Sequence, residues 1–179
     1  MLPFKIEVPD SVLTDLAERL ARTRFPDQLE GAAWDYGTEL SYQRELVAYW
    51  RSKYDWRAHE RSLNQFEHWK TPVRDLELHF IHQRSKEPSA LPLVITHGWP
   101  GSVYEFHKII GPLTDPVAHG GRKEDSFHVV CPSMPGYGWS EAPHKPGFDI
   151  RQVGETIAAL MGKLGYSRYG AQGGDWGAI

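Results

Sequence analysis

Apolar side chains in the first 25 residues recur with the spacing of one helix face. The pattern predicts a first helix whose apolar stripe consists of Val12, Leu13, Leu16, Ala17 and Leu20. Asp10 or Ser11 is expected to cap its N-terminus, because short polar side chains accept hydrogen bonds from the free N–H groups there. Phe25–Pro26 is expected to end it, because proline cannot continue a helix.

Two more helices are predicted before residue 70. One runs from about Leu40 to Tyr54, with Val47 and Trp50 on its apolar face. A shorter one begins near Asp55. Its apolar side carries Trp56, His59, Leu63 and Phe66. Residues 1–70 are therefore expected to form a helical N-terminal region.

The periodicity changes near residue 71, after which strands and helices alternate. Residues 76–82 alternate apolar and polar positions, which is typical of a strand, and shorter segments predict strands at residues 92–96, 127–131 and 167–172. The helices between them are predicted at residues 102–113, capped by Ser102, and at 149–164, closed by Gly165. Alternating strands and helices predict a mainly parallel α/β sheet for residues 71–179.

Composition excludes some classes of protein. The 179 residues carry a net charge of −3, which gives no positive surface for nucleic acid, and no apolar run is long enough to span a bilayer. Cys131 is the single cysteine and cannot form an internal disulfide. Together with the lack of a signal-peptide pattern, these observations predict a cytoplasmic protein.

Three unusual loops follow predicted strands, at the sheet edge where parallel sheets bind ligands. His97–Ser102 is rich in glycine and opens into a helix, so that its N–H groups could face an anion, although it could also be a plain connection. Ser133–Ser140 is interpreted as a cleft wall without chemistry. The third loop is Gly173–Gly177, with Asp175 at its centre.

The third loop has the pattern of a nucleophile elbow. Small residues on both sides of the nucleophile permit the tight turn from strand to helix, and Gly173 and Gly177 meet this need. Asp175 could alternatively be an ordinary helix N-cap. The glycine-rich loop at His97 favours the catalytic reading, because it can supply half of an oxyanion hole. The backbone N–H groups of Trp99 and Trp176 are the predicted donors.

A carboxylate at an elbow selects the substrate. Attack of Asp175 on a saturated carbon gives an alkyl ester, which water can cleave at the aspartyl carbonyl. Serine would give an ether that cannot be released in this way. The electrophile is therefore expected to be an epoxide or a haloalkane, and the Trp99 and Trp176 rings suit a lipophilic one.

The motifs resemble those of microsomal-type epoxide hydrolases, the branch that includes juvenile hormone epoxide hydrolases. The matching segments are His97–Pro100, Gly173–Gly177, and, in the helical region, Leu20–Pro26, Tyr54–Trp56 and Leu63–Asn64. The resemblance implies the N-terminal half of an α/β-hydrolase fold after a helical extension, in which Asp175 is the nucleophile and Trp99 and Trp176 form the oxyanion hole. It implies a lipophilic epoxide and water as substrates, and no cofactor or metal.

The resemblance also implies a histidine base, an acid and tyrosines of a cap domain, which follow the nucleophile in this family. All nine histidines precede Asp175, the last being His144. His97 is assigned to the oxyanion loop rather than to the base, and His79 and His82 should face opposite sides of their strand, which excludes a shared metal. The chain is therefore expected to be a fragment that forms an ester without turnover. A haloalkane-dehalogenase-like hydrolase and a non-catalytic truncated paralogue are the alternatives.

Overall fold

A computed structural model describes all 179 residues and divides them into two compact units. The first unit, residues 6–62, contains the helices α1 (Asp10–Ala21), α2 (Leu40–Ser52) and most of α3 (Trp56–Leu63). The three predicted helices are thereby confirmed, and Phe66 lies beyond the end of α3. The predicted side-chain cap of α1 is wrong. Its N-cap is Pro9 and makes no such bond, while the carboxylate of Asp10 pairs instead with Arg57.

The second unit, residues 1–5 and 63–179, is built on a six-stranded sheet. Its strands are β1 (Leu2–Phe4), β2 (His68–Val73), β3 (Leu76–Gln83), β4 (Leu91–Thr96), β5 (Phe127–Pro132) and β6 (Gly170–Gly173). They lie in the order β1-β2-β3-β5-β4-β6. The prediction of a mainly parallel sheet is wrong, because only β5/β4 and β4/β6 pair in parallel and the other three pairings are antiparallel.

Two strands were not predicted. The segment β1 is only three residues long, too short to show a period. The segment β2 contains Pro72, which normally argues against a central strand because it cannot donate a ladder hydrogen bond. The structure accommodates Pro72 because β1 pairs with residues 68–70 only, so β2 is an outer strand at position 72.

The segment after β4 is not the continuous helix that was predicted for residues 102–113. A 3₁₀ turn (Val103–Phe106) is followed by a separate short helix, α4 (Ile110–Thr114). Pro112 explains the break, since it has no N–H to bond the carbonyl one turn earlier. The prediction of Ser102 as N-cap is confirmed: its Oγ accepts from the Tyr104 N–H at 3.2 Å, and the Ser102 N–H donates to Glu105 Oε1 at 3.1 Å.

Helix α5 (Ile150–Lys163) covers one face of the sheet, and its predicted ends are confirmed. Asp149 Oδ1 accepts from the Gln152 N–H at 3.1 Å, and Gly165 has a φ of +86° after the last turn. The buried side chains of α5 pack on the sheet with Leu78, Phe80, Val94 and Val130. A second apolar cluster, around Ile81, Ile95 and Val129, includes side chains of the 3₁₀ turn and α4. None of the helices combines the length and apolarity needed to cross a membrane.

Candidate active site

Strand β6 leads directly into the turn that presents Asp175. The backbone of Asp175 has a φ of +54°, in the left-handed region that non-glycine residues rarely adopt, and a 3₁₀ turn (Asp175–Ala178) begins there. Close contacts explain the flanking glycines. A Cβ on Gly173 would lie 1.9 Å from the Gly177 carbonyl oxygen, and one on Gly177 would lie 2.4 Å from the Thr96 carbonyl oxygen. The sequence at Asp175 thus folds into the strained turn of a nucleophile elbow.

The loop after β4 reaches the same carboxylate. The Trp99 N–H donates to Asp175 Oδ1 at 2.9 Å, in a turn closed by a hydrogen bond from the Gly101 N–H to the Gly98 carbonyl at 3.0 Å. The Trp99–Pro100 peptide bond in this turn is cis. A Cβ on Gly98 would lie 2.5 Å from Asp175 Cβ, so the approach of the loop depends on glycine at this position.

The electrostatics of the elbow favour an ionised carboxylate. The pKa of Asp175 lies below its usual value because the backbone N–H groups of Trp176 and Trp99 donate hydrogen bonds to the charged form. The structure therefore brings together the three residues that the sequence singled out. The carboxylate accepts from the backbone N–H groups of Trp99 and Trp176, whose residues are 64% and 54% exposed.

His97 is placed in the loop and not in the position of a base. It is 1% exposed, and both ring nitrogens are occupied by the backbone: Nδ1 is 2.9 Å from the Gly98 carbonyl, and Nε2 lies 3.1 Å from the Met134 N–H. No histidine of the chain is hydrogen bonded to Asp175. Met134 belongs to the loop to which the sequence assigned no chemistry, and its contact is made by a backbone N–H, for which no residue type is a signal.

His79 and His82 take part in separate buried networks. His79 contacts Ser133 Oγ and His68 Nδ1, both at 2.9 Å, whereas His82 contacts the Tyr166 hydroxyl at 2.9 Å. No cluster of three or more histidine, cysteine or acidic side chains is placed to hold a metal. Burial raises the pKa of the Cys131 thiol, so this side chain stays protonated and is not a nucleophile.

The elbow, its aspartate and the loop that hydrogen bonds to it define an α/β-hydrolase fold, of which the chain forms the N-terminal half. A family model described as "alpha/beta hydrolase fold" matches residues 92–179. A second model, "Epoxide hydrolase N terminus", matches residues 1–106, and the chain belongs to this family. The resemblance to epoxide hydrolases inferred from the motifs is confirmed.

Individual relatives agree with this assignment. The chain is 51% identical to a putative epoxide hydrolase of Stigmatella aurantiaca, over 98% of the chain and 40% of the relative, and 43% identical to epoxide hydrolase 1 of Sus scrofa, over 99% and 40%. The crystal structure of juvenile hormone epoxide hydrolase from Bombyx mori superposes with a TM-score of 0.86 at 36% identity, over 98% of the chain and 46% of that structure. The chain thus spans about 40% of the length of the curated relatives it matches.

Proposed function

We propose that this chain supplies the nucleophile and the oxyanion hole of an epoxide hydrolase that acts on lipophilic epoxides. The observation that carries the proposal is the hydrogen bond from the Trp99 N–H to Oδ1 of an aspartate held at a φ of +54°. This contact gives the two carboxylate oxygens of Asp175 different roles. Oδ1 is bound by the Trp99 N–H, and we assign the attack to the other oxygen, Oδ2.

In the first step, Oδ2 forms a bond to an epoxide carbon while the bond from that carbon to the epoxide oxygen breaks. The released oxygen takes up a proton from solvent water and becomes a hydroxyl group. Asp175 is then an ester whose carbonyl oxygen is Oδ1. In the second step, water loses a proton to a general base and adds to the Asp175 carbonyl carbon, and negative charge develops on Oδ1, where the N–H groups of Trp99 and Trp176 stabilise it. The bond from the carbonyl carbon to the ester oxygen then breaks, that oxygen takes up a proton, and the diol leaves while the carboxylate is restored.

The chain described contributes mainly to the first step. Activation of water in the second step needs a general base within hydrogen-bond reach, and no histidine among residues 1–179 contacts Asp175. We therefore expect the aspartyl ester to form on this chain and to persist.

Mass spectrometry of the intact chain after incubation with an aryl epoxide tests the proposal. The expected result is a mass increase of one epoxide, located on the peptide that contains Asp175 and absent from Asp175→Asn. Asp149→Asn, which changes an exposed aspartate at the start of α5, should still be modified. A chloroalkane run in parallel tests the dehalogenase alternative: the same ester from the chloroalkane but not from the epoxide would favour it. An unmodified Asp175 with both reagents would favour a non-catalytic protein and reject the proposal.

A further inference from the structure

The peptide group that points its N–H at Asp175 is held at its other end by two donors, the His97 ring and the Gly101 N–H, which lies 3.0 Å from the Gly98 carbonyl oxygen. This group joins Gly98 to Trp99, and in a trans peptide the carbonyl oxygen and the N–H point in opposite directions. Nδ1 of His97 lies 2.9 Å from the Gly98 carbonyl oxygen, and the Trp99 N–H lies 2.9 Å from Asp175 Oδ1. The orientation at one end therefore sets the orientation at the other.

We propose that His97 is a positioning residue of the oxyanion hole, which donates from Nδ1–H to the Gly98 carbonyl and thereby aims the Trp99 N–H at Asp175. The hydrogen bonding is proposed for this chain whatever its substrate. Its importance for catalysis rests on the proposed function. His97 makes no contact with the reacting carboxylate and acts only through the Gly98–Trp99 peptide group.

The hydrogen bonds determine the tautomer of His97 from both sides. The Gly98 carbonyl can only accept, so Nδ1 must carry a proton. The Met134 N–H can only donate, so Nε2 must be unprotonated. Each partner independently requires the same neutral tautomer. The ring is also fixed by its surroundings: it is 1% exposed, and Tyr137 packs against it edge to face at 5.3 Å between ring centroids.

The segment that orients His97 is itself anchored in the sheet. Ser133, next to Met134, receives a hydrogen bond on its carbonyl from Ser140 Oγ at 2.7 Å and donates its N–H to the His79 carbonyl at 2.9 Å. Its Oγ contacts Nδ1 of the buried His79 at 2.9 Å. The loop of residues 133–140 is therefore a fixed support, and Met134 transmits that support to His97.

The tautomer can be measured on the unmodified chain. Nitrogen-15 spectra of the histidine rings should show Nδ1 of His97 protonated and Nε2 unprotonated, with a coupling across the hydrogen bond from Nδ1 to the Gly98 carbonyl carbon. A ring protonated at Nε2 alone would overturn the proposal, because such a ring has no donor for Gly98.

Two variants separate the two contacts of the ring. His97→Asn keeps an N–H donor close to the position of Nδ1 and loses the acceptor for Met134. His97→Gln reaches the position of Nε2 with an acceptor and loses the donor for Gly98. Two quantities are measured. One is the chemical shift of the Trp99 amide proton, and the other is the carboxyl pKa of Asp175, obtained from carbon-13 spectra recorded across a pH titration. Asp115, whose pKa is lowered by Lys86 and the Ala118 N–H, is the internal control and should titrate alike in all three proteins.

We expect His97→Asn to keep the wild-type values. In His97→Gln the Trp99 amide signal should move upfield and the Asp175 pKa should rise, because only the Gly101 N–H then holds the Gly98 carbonyl and the Trp99 N–H points less directly at the carboxylate. Equal values in both variants, whether shifted or not, would reject the proposal, since loss of packing alone does not distinguish donor from acceptor. These readouts need no substrate. A chain that passes them but forms no ester on Asp175 would leave the positioning role standing and reject only the proposed function.

Discussion

At the scale of single residues, the site depends on glycines that let two backbones approach. Gly98 has an ordinary negative φ, so the reason for glycine there is space rather than backbone conformation. Its missing side chain lets the loop after β4 lie against Asp175. Asp175, by contrast, bears the left-handed conformation itself, which its neighbours allow by being small.

Gly98→Ala should damage both the fold and the site. The new Cβ would lie 2.5 Å from Asp175 Cβ and Oδ1, so either the loop or the elbow must move. We expect a loss of about 1–3 kcal/mol in the free energy of unfolding, typical of overpacking, and a rise in the Asp175 pKa as the Trp99 hydrogen bond is lost. Denaturant unfolding and carbon-13 titration measure the two effects.

Gly154→Ala is the matched control for this substitution. Gly154 lies within α5 and a Cβ there meets nothing within 4 Å, so alanine should stabilise the chain by up to about 1 kcal/mol through helix propensity. A Gly98→Ala protein as stable as wild type, with an unchanged Asp175 pKa, would contradict the close approach described for the loop.

The sequence was sufficient to predict Asp175, Trp99 and Trp176, but their roles as nucleophile and donors stay predictions. It was sufficient because glycine and aspartate at an elbow are specified by side-chain size and charge. The support from Met134 could not be predicted, because a backbone N–H has no residue signature. The role of His97 as a link between two loops depends on strand order, which places β4 beside β5.

At the scale of elements, helices with an uninterrupted apolar stripe were predicted well, whether or not a side chain caps them, and the segment that contains a proline was not. Helix α5 has an Asp149 cap, an apolar stripe and Gly165, and all three features agree. The segment from Ser102 to Thr114 has a good cap but also Pro112, and the proline divides it. The antiparallel pairing of β3 with β5 could not be predicted, because the direction of pairing is set by the path of the chain and not by the residue pattern of either strand. The domain boundary at residue 70 stays a prediction.

Asp149→Ala tests the contribution of the cap of α5. The Asp149 carboxylate satisfies the Gln152 N–H at 3.1 Å, and its loss should lower the free energy of unfolding by about 0.5–2 kcal/mol. Asp149→Asn should remain close to wild type, because asparagine caps helices about as well as aspartate. Unfolding midpoints of the three proteins provide the measurement. Equal losses for alanine and asparagine would indicate that charge rather than the cap hydrogen bond is responsible.

At the scale of the whole molecule, buried histidines couple stability to pH. Burial lowers the pKa of His68, lowers that of His79 to about 3 with a further contribution from the charges of His68 and Lys70, and lowers that of His82 to about 4 with contributions from Arg84 and His128. These side chains are neutral in the fold but take up protons near pH 6.5 once unfolded. The cytoplasmic location that the sequence predicts stays a prediction.

The free energy of unfolding should therefore be highest above about pH 6.5 and fall as the pH decreases toward the native pKa values. Each proton taken up only by the unfolded chain changes stability by about 1.4 kcal/mol per pH unit. His82→Gln should make the decrease between pH 6 and 4.5 shallower by up to this amount, and His119→Gln, at an exposed position, is the control for replacing a histidine. Urea unfolding across this range measures the free energy of unfolding at each pH. If it falls with pH at the same slope in wild type and His82→Gln, the titration of His82 does not contribute to stability.

The use of main-chain donors at Trp99 and Trp176 has a consequence for engineering. The chemistry proposed at Asp175 uses the backbone N–H of each residue, while both side chains are more than half exposed. On the proposed mechanism, positions 99 and 176 can therefore be changed to any residue except proline without removing a donor, and such changes are expected to alter the range of epoxides that the site accepts. Gly98, Gly173 and Gly177 leave no such freedom. A library for altered selectivity belongs at the two tryptophans, with the three glycines kept constant.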